Sequence, residues 1–342
     1  MIKQKIIKNS LRVIIKTSIF SGLLTSIILL FLILAGVIKI PNYLGILFYA
    51  PIGFTFGFFV PLLVRLLLDV VLTNRALKRL PYLGRLALLA LSVTAAMSVI
   101  YLAVGAVFSQ TMFTRPGMTI TGTMTLGMFL IVSSTTTVTE FLGRGFFSDM
   151  VLGRYHRARQ EEKIFLFIDL RSSTALAECL TPVKFYDLLN DFLFVVEQCC
   201  QYYGGQIYKY LGDGVIAVWP AKPDNFPRAV NAMKDIETEI AEQNQAFRSK
   251  YGQALELTAG LHSGKILVGE LGSFRKEIGY WGDTINTTQR IQAACKEKGI
   301  TNLCSEEFYK GLLDSDSTVS AAAKFENVIL RGKEQPMTLV SF

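Results

Sequence analysis

KIFLFIDLRSST (163–174) and QIYKYLGDGVIAVW (206–219) decide how this chain is read. The first carries an unbroken apolar run that ends on Asp169. The second splits two strand-like segments, Gln206–Tyr210 and Val215–Trp219, with a Gly-Asp-Gly turn that presents Asp213. A carboxylate at the end of a buried strand is costly unless its charge is compensated. Two of them on one sheet edge would repel, and a hard divalent cation with oxygen ligands, such as Mg²⁺, relieves that repulsion. The pair therefore points to a metal site for phosphate chemistry. Taken singly the residues say less: Gly-Asp-Gly is ordinary turn chemistry, and an isolated Asp169 serves equally well as a helix cap.

Working outward, the chain reads as strand 164–169, helix about 181–203, strands 206–210 and 215–219, helix about 226–249, and strands 255–261 and 265–269. A strand at about 276–281 precedes a helix at about 283–298, and a hairpin, Phe325–Arg331 with Pro336–Phe342, closes the chain. Helix 181–203 has its apolar residues on one face (Phe185, Leu188, Leu189, Phe192, Val195, Val196), an N-cap at Thr181 and Pro182 in its first turn. The β-α-β-β-α-β order predicts an α+β, ferredoxin-like domain in which the first strand neighbours the following hairpin. Asp169 and Asp213 are then side by side.

The part before this domain is different material. The 342 residues are 51% hydrophobic, too apolar for an ordinary soluble chain of this length. Residues 1–150 carry 13 Lys and Arg against 3 Asp and Glu, whereas 151–342 carry 22 against 24. The uncharged stretches 17–38, 40–64, 86–114 and 116–139 each exceed the roughly 20 residues a helix needs to cross a bilayer. They predict a transmembrane domain over 1–142 with four helices, about 17–38, 42–64, 87–109 and 118–140.

Basic residues cluster in the N-terminal tail (Lys3, Lys5, Lys8, Arg12, Lys16), between the second and third spans (Arg75, Lys78, Arg79, Arg85) and after the fourth (Arg144, Arg154, Arg157, Arg159). The opposite loops offer Lys39 and Arg115. This asymmetry predicts a multi-pass protein of the cell (inner) membrane, with both termini and the C-terminal domain cytoplasmic. The basic residues punctuate apolar segments instead of forming a patch, so nucleic acid is not an expected partner. Residues 143–163 read as a polar, helix-compatible linker, with the C-terminal domain over 164–342. All five cysteines (Cys179, Cys199, Cys200, Cys295, Cys304) lie in that domain without metal-type spacing and read as thiols in a reducing compartment.

Four motifs in order, FIDLRSST (167–174), YKYLGDGVIAVW (208–219), GLHSGKILVGELGS (260–273) and YWGDTINTTQRI (280–291), resemble the class III nucleotidyl cyclases. They cover the C-terminal domain and none of the apolar part. The resemblance implies a ferredoxin-like core with additions, acting as a head-to-tail homodimer with active sites shared between subunits. It implies conversion of a nucleoside triphosphate to a 3′,5′-cyclic monophosphate and pyrophosphate with two Mg²⁺ or Mn²⁺ ions per site.

By the same resemblance, Asp169 and Asp213 match the metal-binding aspartates, with the backbone carbonyl of Ile168 as a further ligand. Asn286 matches the residue that orients the ribose, and Arg290 the one that stabilises charge on the α-phosphate. Their spacing of four puts both on one helical face. The resemblance draws this pair from the second subunit. Lys209 stands at a purine-reading position where Lys marks adenylate cyclases, although an ammonium can donate to adenine N1 or to guanine O6. At the second purine-reading position, where the family has Asp or Thr, this chain has Gly279. Glu277, two residues earlier on the same strand face, or the Gly279 carbonyl takes that role. Arg331 and Lys333 both lie where the family supplies a basic residue to the β- and γ-phosphates. His262 reads as a packed strand-end residue.

The expectation is a membrane-bound adenylate cyclase acting on ATP. Guanylate cyclase is the alternative within the class, and a nucleotide-binding, receptor-like pseudocyclase the alternative outside it. A pseudocyclase should have lost a metal aspartate or the arginine, and neither is lost here.

Overall fold

The computed structural model describes residues 153–272, 277–316 and 323–342, with twelve scattered helical positions between 15 and 149. The chain divides into two compact units, Met1–Phe141 and Leu142–Phe342. Apart from those positions, the four predicted spans lie outside the described residues, as does most of 143–152. Among the described residues no helix is long and apolar enough to cross a membrane.

The second unit is an α+β sheet domain. In chain order its elements are β1 (Arg159–Leu170), α1 (Ser173–Cys179), α2 (Pro182–Tyr202), β2 (Gln206–Leu211), β3 (Gly214–Pro220), α3 (Asn225–Tyr251), β4 (Leu257–Leu271) and β5 (Glu277–Trp281). There follow α4 (Asp283–Lys298), β6 (Asn302–Ser305), α5 (Glu306–Ser315), β7 (Ala323–Val328) and β8 (Met337–Ser341). The sheet order is β2-β3-β1-β4-β6-β8-β7, with β5 paired to β4. Strands β2, β3, β1 and β4 form the ferredoxin-like core and are antiparallel to one another, whereas β4 pairs with β6 in parallel.

Strand β1 is central because both of its faces are apolar: Ile164 to Ile168 are all at most 5% exposed. Phe165 and Phe167 pack with Ile216, Val218, Ile266, Val268 and Tyr280 on one face. Helix α4 covers that face. Its close approach depends on two glycines of β4: a Cβ on Gly260 would lie 2.6 Å from the Gln292 backbone nitrogen, and one on Gly264 would lie 3.0 Å from Thr284 Oγ1. The Thr181 side chain caps α2 by accepting from Lys184 N–H, with Pro182 at the first helical position.

Several expected boundaries are corrected. The two strands expected at 255–261 and 265–269 are one strand of 15 residues, β4. The strand continues through 262–264, the gap left between them, and Gly264 admits Thr284. Residues 159–163, expected in a helical linker, are the polar start of β1, paired with Gly264–Val268. Their charges sit on a half-exposed ladder, and Lys163, 7% exposed, is neutralised by Glu161 at 2.7 Å. Tyr155, also assigned to the linker, is buried in the core. Helix α1, strand β6 and helix α5 were not anticipated, since each is 4 to 10 residues long and carries too little periodicity to read.

Candidate active site

Asp169 and Asp213 come together because of a two-residue hairpin. Leu211 pairs with Gly214, and Gly212 adopts φ 65° at the first turn position, where a type II′ turn needs glycine. Asp169 is the last β1 residue paired with β3, opposite Gly214. Asp213 is thereby delivered to the end of β1, within hydrogen-bonding reach of the Asp169 carboxyl. Burial pushes the Asp169 pKa up, the Lys296 ammonium opposes this, and Asp213 adds to the rise; the net direction is upward.

The other neighbours of Asp169 come from α4. Its Oδ2 accepts from Lys296 Nζ at 2.5 Å and from Gln292 Nε2 at 3.2 Å. Gln292 is 3% exposed and also donates to Thr258 Oγ1 at 2.6 Å. Sequence reasoning missed both residues. Their signal was the helix itself, since Gln292 and Lys296 are four apart and so share a face.

A divalent ion fits this donor set. Two carboxylates in mutual contact, one with its pKa raised, form an acceptor pair that a hard cation would relieve. Among the described residues no group of three or more His, Cys, Asp and Glu stands ready for a metal, so further ligands must be backbone, water or substrate oxygens. For the backbone donor the register disfavours Ile168. Arg171 N–H donates to Glu256 O on β4, and β1 groups alternate sides, so the carbonyls of Ile168 and Leu170 both face β3. Ile168 is opposite Val215 within the ladder, whereas Leu170 lies one residue beyond the last β3 pair, at the Gly-Asp turn. The Leu170 carbonyl replaces Ile168 as the donor that suits the site.

Asn286 and Arg290 are elsewhere. The sheet-facing residues of α4 are Thr284, Thr288, Ile291, Gln292 and Cys295, all buried. Asn286 is exposed and Arg290 half-buried on the outer side, so within one chain they do not meet Asp169. Arg290 meets the segment before β8 instead. Arg290 donates to Gly332 O at 3.1 Å, and Lys333 pairs with Asp283 at the start of α4. The Lys333 hydrogen bond holds the Asp283 carboxyl below the usual range. Lys333 is thus tied to the helix of Asn286 and Arg290, while Arg331 is exposed.

Lys209 and Glu277 form an ion pair at 3.4 Å, each about half exposed (49% and 50%). The β4–β5 pairing brings Glu277 across to Lys209. Gly279 leaves no room beside Trp281: a Cβ there would lie 2.3 Å from the indole, so a side chain at this position would have to displace that ring. His262 is packed against Ser305 Oγ at 2.7 Å, and burial lowers its pKa to about 4, so it is neutral at pH 7. Cys199, Cys200, Cys295 and Cys304 are buried free thiols and Cys179 is an exposed one. Burial pushes Cys199 up to about 12, which leaves it without nucleophilic character.

Residues 156–340 match the adenylate and guanylate cyclase catalytic domain family. The chain belongs to this family. The cyclase domain is 34% identical over 181 residues to Adenylate cyclase 2 of Rhizobium meliloti, covering 51% of this chain and 48% of that one. It is 25% identical over 177 residues to an adenylate cyclase of Anabaena cylindrica, covering 51% of this chain and 35% of that one. The chain therefore spans half or less of the length of these curated relatives. Among solved structures, a bacterial light-regulated adenylyl cyclase superposes with a TM-score of 0.54 at 18% identity, over 68% of this chain and 65% of that one. At that identity the likeness is one of fold.

Proposed function

We propose that this chain is a membrane-anchored adenylate cyclase that converts ATP to 3′,5′-cyclic AMP and pyrophosphate at sites shared between two subunits. The observation that carries the reading is the Asp169–Asp213 pair at the end of β1, inside a domain of the cyclase family. Mg²⁺ or Mn²⁺ bound there would activate the ribose 3′-hydroxyl and neutralise the triphosphate. Asp169, Asp213 and the Leu170 carbonyl would hold the ions.

The remaining roles belong to side chains. Asn286 orients the ribose so that its 3′-oxygen lines up with the α-phosphorus. Arg290, a planar and permanently charged fork, stabilises the charge that builds on the α-phosphate as pyrophosphate leaves. Lys333 supplies positive charge to the β- and γ-phosphates, since Asp283 holds it beside the same helix. Asn286 and Arg290 point away from their own Asp169, which supports a site completed by a second copy of the chain. At the base, the Lys209–Glu277 pair offers one donor beside one acceptor. That order complements adenine, with N1 accepting from Lys209 and the N6 amino group donating to Glu277. Adenylate cyclases among the relatives favour the same base.

The four apolar stretches of residues 1–142 support anchoring in the cell membrane with the cyclase domain cytoplasmic. The test is a cyclase assay of the purified chain with ATP and with GTP, each with Mg²⁺ and with Mn²⁺. Cyclic AMP formation is expected. Turnover of GTP alone would transfer the reading to guanylate cyclase, and turnover of neither would end it.

A further inference from the structure

Lys296 has no part in the reading so far, yet it makes the shortest contact to Asp169. Its ammonium lies 2.5 Å from Asp169 Oδ2, on the side of the carboxylate also held by Gln292. The other oxygen, Oδ1, faces the hairpin turn, 3.5 Å from where a Cβ on Gly214 would be. The two ends of this contact are unequal. Asp169 has a side-chain exposure of 15%, Lys296 of 42%. The carboxylate is fixed, then, while the ammonium is on a flexible stem with water beside it.

From this geometry we propose that Lys296 is a displaceable counter-ion of the Asp169–Asp213 pair, which keeps the site weak for free divalent ions. The inference rests on the reading of those aspartates as cation ligands. In the nucleotide-free protein the pair carries two formal negative charges at close range, and one ammonium offsets half of that charge. A divalent ion held by the carboxylates would lie beside the Lys296 ammonium, and repulsion between the two cations would lower its affinity by about tenfold even with water-like screening. A triphosphate brings enough negative charge to outweigh that repulsion. Lys296 can also turn into solvent, as its exposure allows. Gln292 serves differently. It is buried, neutral and anchored to Thr258, so it keeps the orientation of Asp169 when Lys296 leaves. Lys296 thus acts on cation affinity through its charge beside Asp169, and Gln292 does the positioning.

The experiment is Mn²⁺ binding to the full-length protein without nucleotide, read by the electron paramagnetic resonance of free Mn²⁺. Lys296→Gln and Lys296→Met should each bind Mn²⁺ about tenfold more tightly than the parent, and Lys296→Arg, which keeps the charge, should bind as the parent does. The gain should appear as well as a larger Mn²⁺-induced rise in melting temperature for the neutral variants. Asp213→Asn is the control for the underlying reading. If it binds Mn²⁺ as the parent does, the aspartates are not the cation ligands and the proposal falls with that reading. If it loses Mn²⁺ while the neutral Lys296 variants bind no more tightly than the parent, the cation site stands and the counter-ion role is overturned. Tighter binding by Lys296→Arg to the same degree would likewise overturn it, because charge would then not be the cause.

Discussion

The two sides of α4 are held in opposite ways. Its inner side is locked against β4 by glycines that admit the helix and by buried Thr284, Thr288 and Gln292. This side ends on Asp169, so everything it needs lies within one chain. The outer side carries Asn286 and Arg290, and the neighbours the described residues give it are the 332–333 turn and Asp283. The difference teaches that one helix can be structural toward its own sheet while its exposed side stays available for the shared site proposed above. Substitutions on the inner side should therefore act within a subunit, and those on the outer side between subunits.

The largest effect is expected at the carboxylates. Asp213→Ala should lower cyclase turnover by at least about 10³-fold without unfolding the domain, because charge stabilisation at the phosphates is lost. Circular dichroism beside the activity assay separates the two. Arg290→Ala should cost about 10²–10³-fold in kcat with a small change in KM, as for a group that acts mainly in the transition state. A change confined to KM would place Arg290 in substrate binding only.

On the inner side, Gly260→Ala should destabilise the domain by about 2–3 kcal/mol, since a Cβ 2.6 Å from a helix backbone nitrogen forces α4 off the sheet. Both tryptophans, Trp219 and Trp281, belong to this unit, so tryptophan fluorescence during urea unfolding reports on it directly. An unchanged midpoint would contradict the packing described.

His262 gives a smaller, pH-dependent effect. Its folded pKa, about 4, is below the unfolded value of about 6.5. The neutral, packed form thus contributes fully above pH 6.5, and that contribution is lost as pH falls toward 4. Stability should drop by about 1–2 kcal/mol from this group between pH 7 and pH 5, and His262→Asn should flatten that portion of the profile. The smallest effect is at the base. Glu277→Ala should reduce the preference for ATP over GTP by about tenfold, the worth of one hydrogen bond to a charged group. Unchanged selectivity would leave the second contact to the Gly279 carbonyl.

How much of this was legible beforehand depended on where the signal lay. The Asp169–Asp213 pairing follows from an apolar run and a turn motif, both local, and the strand order brings them together. Thr181 and Pro182 announced the start of α2 by capping chemistry alone. The break expected at 262–264 was not there, because a glycine that admits a helix looks in sequence like one that ends a strand. The Arg159–Lys163 segment misled because a half-exposed strand edge and a polar linker have the same composition. The choice of Leu170 over Ile168 required the ladder register; the spacing of Gln292 and Lys296 put them on one face of α4, but that this face meets Asp169 required the packing of the helix on the sheet. Residues 1–142 were read by hydropathy and charge, and those readings remain proposals.

The measurement that tests the account most directly is complementation. Asp213→Ala and Arg290→Ala, each inactive alone, are combined so that mixed dimers form, and cyclic AMP production is followed with ATP and Mn²⁺. Mixed dimers carry one site with both aspartates and Arg290 intact, so activity should return to about a quarter of the parent level at random pairing. No activity in a preparation shown to contain mixed dimers would contradict a site built from the inner side of one chain and the outer side of α4 in the other.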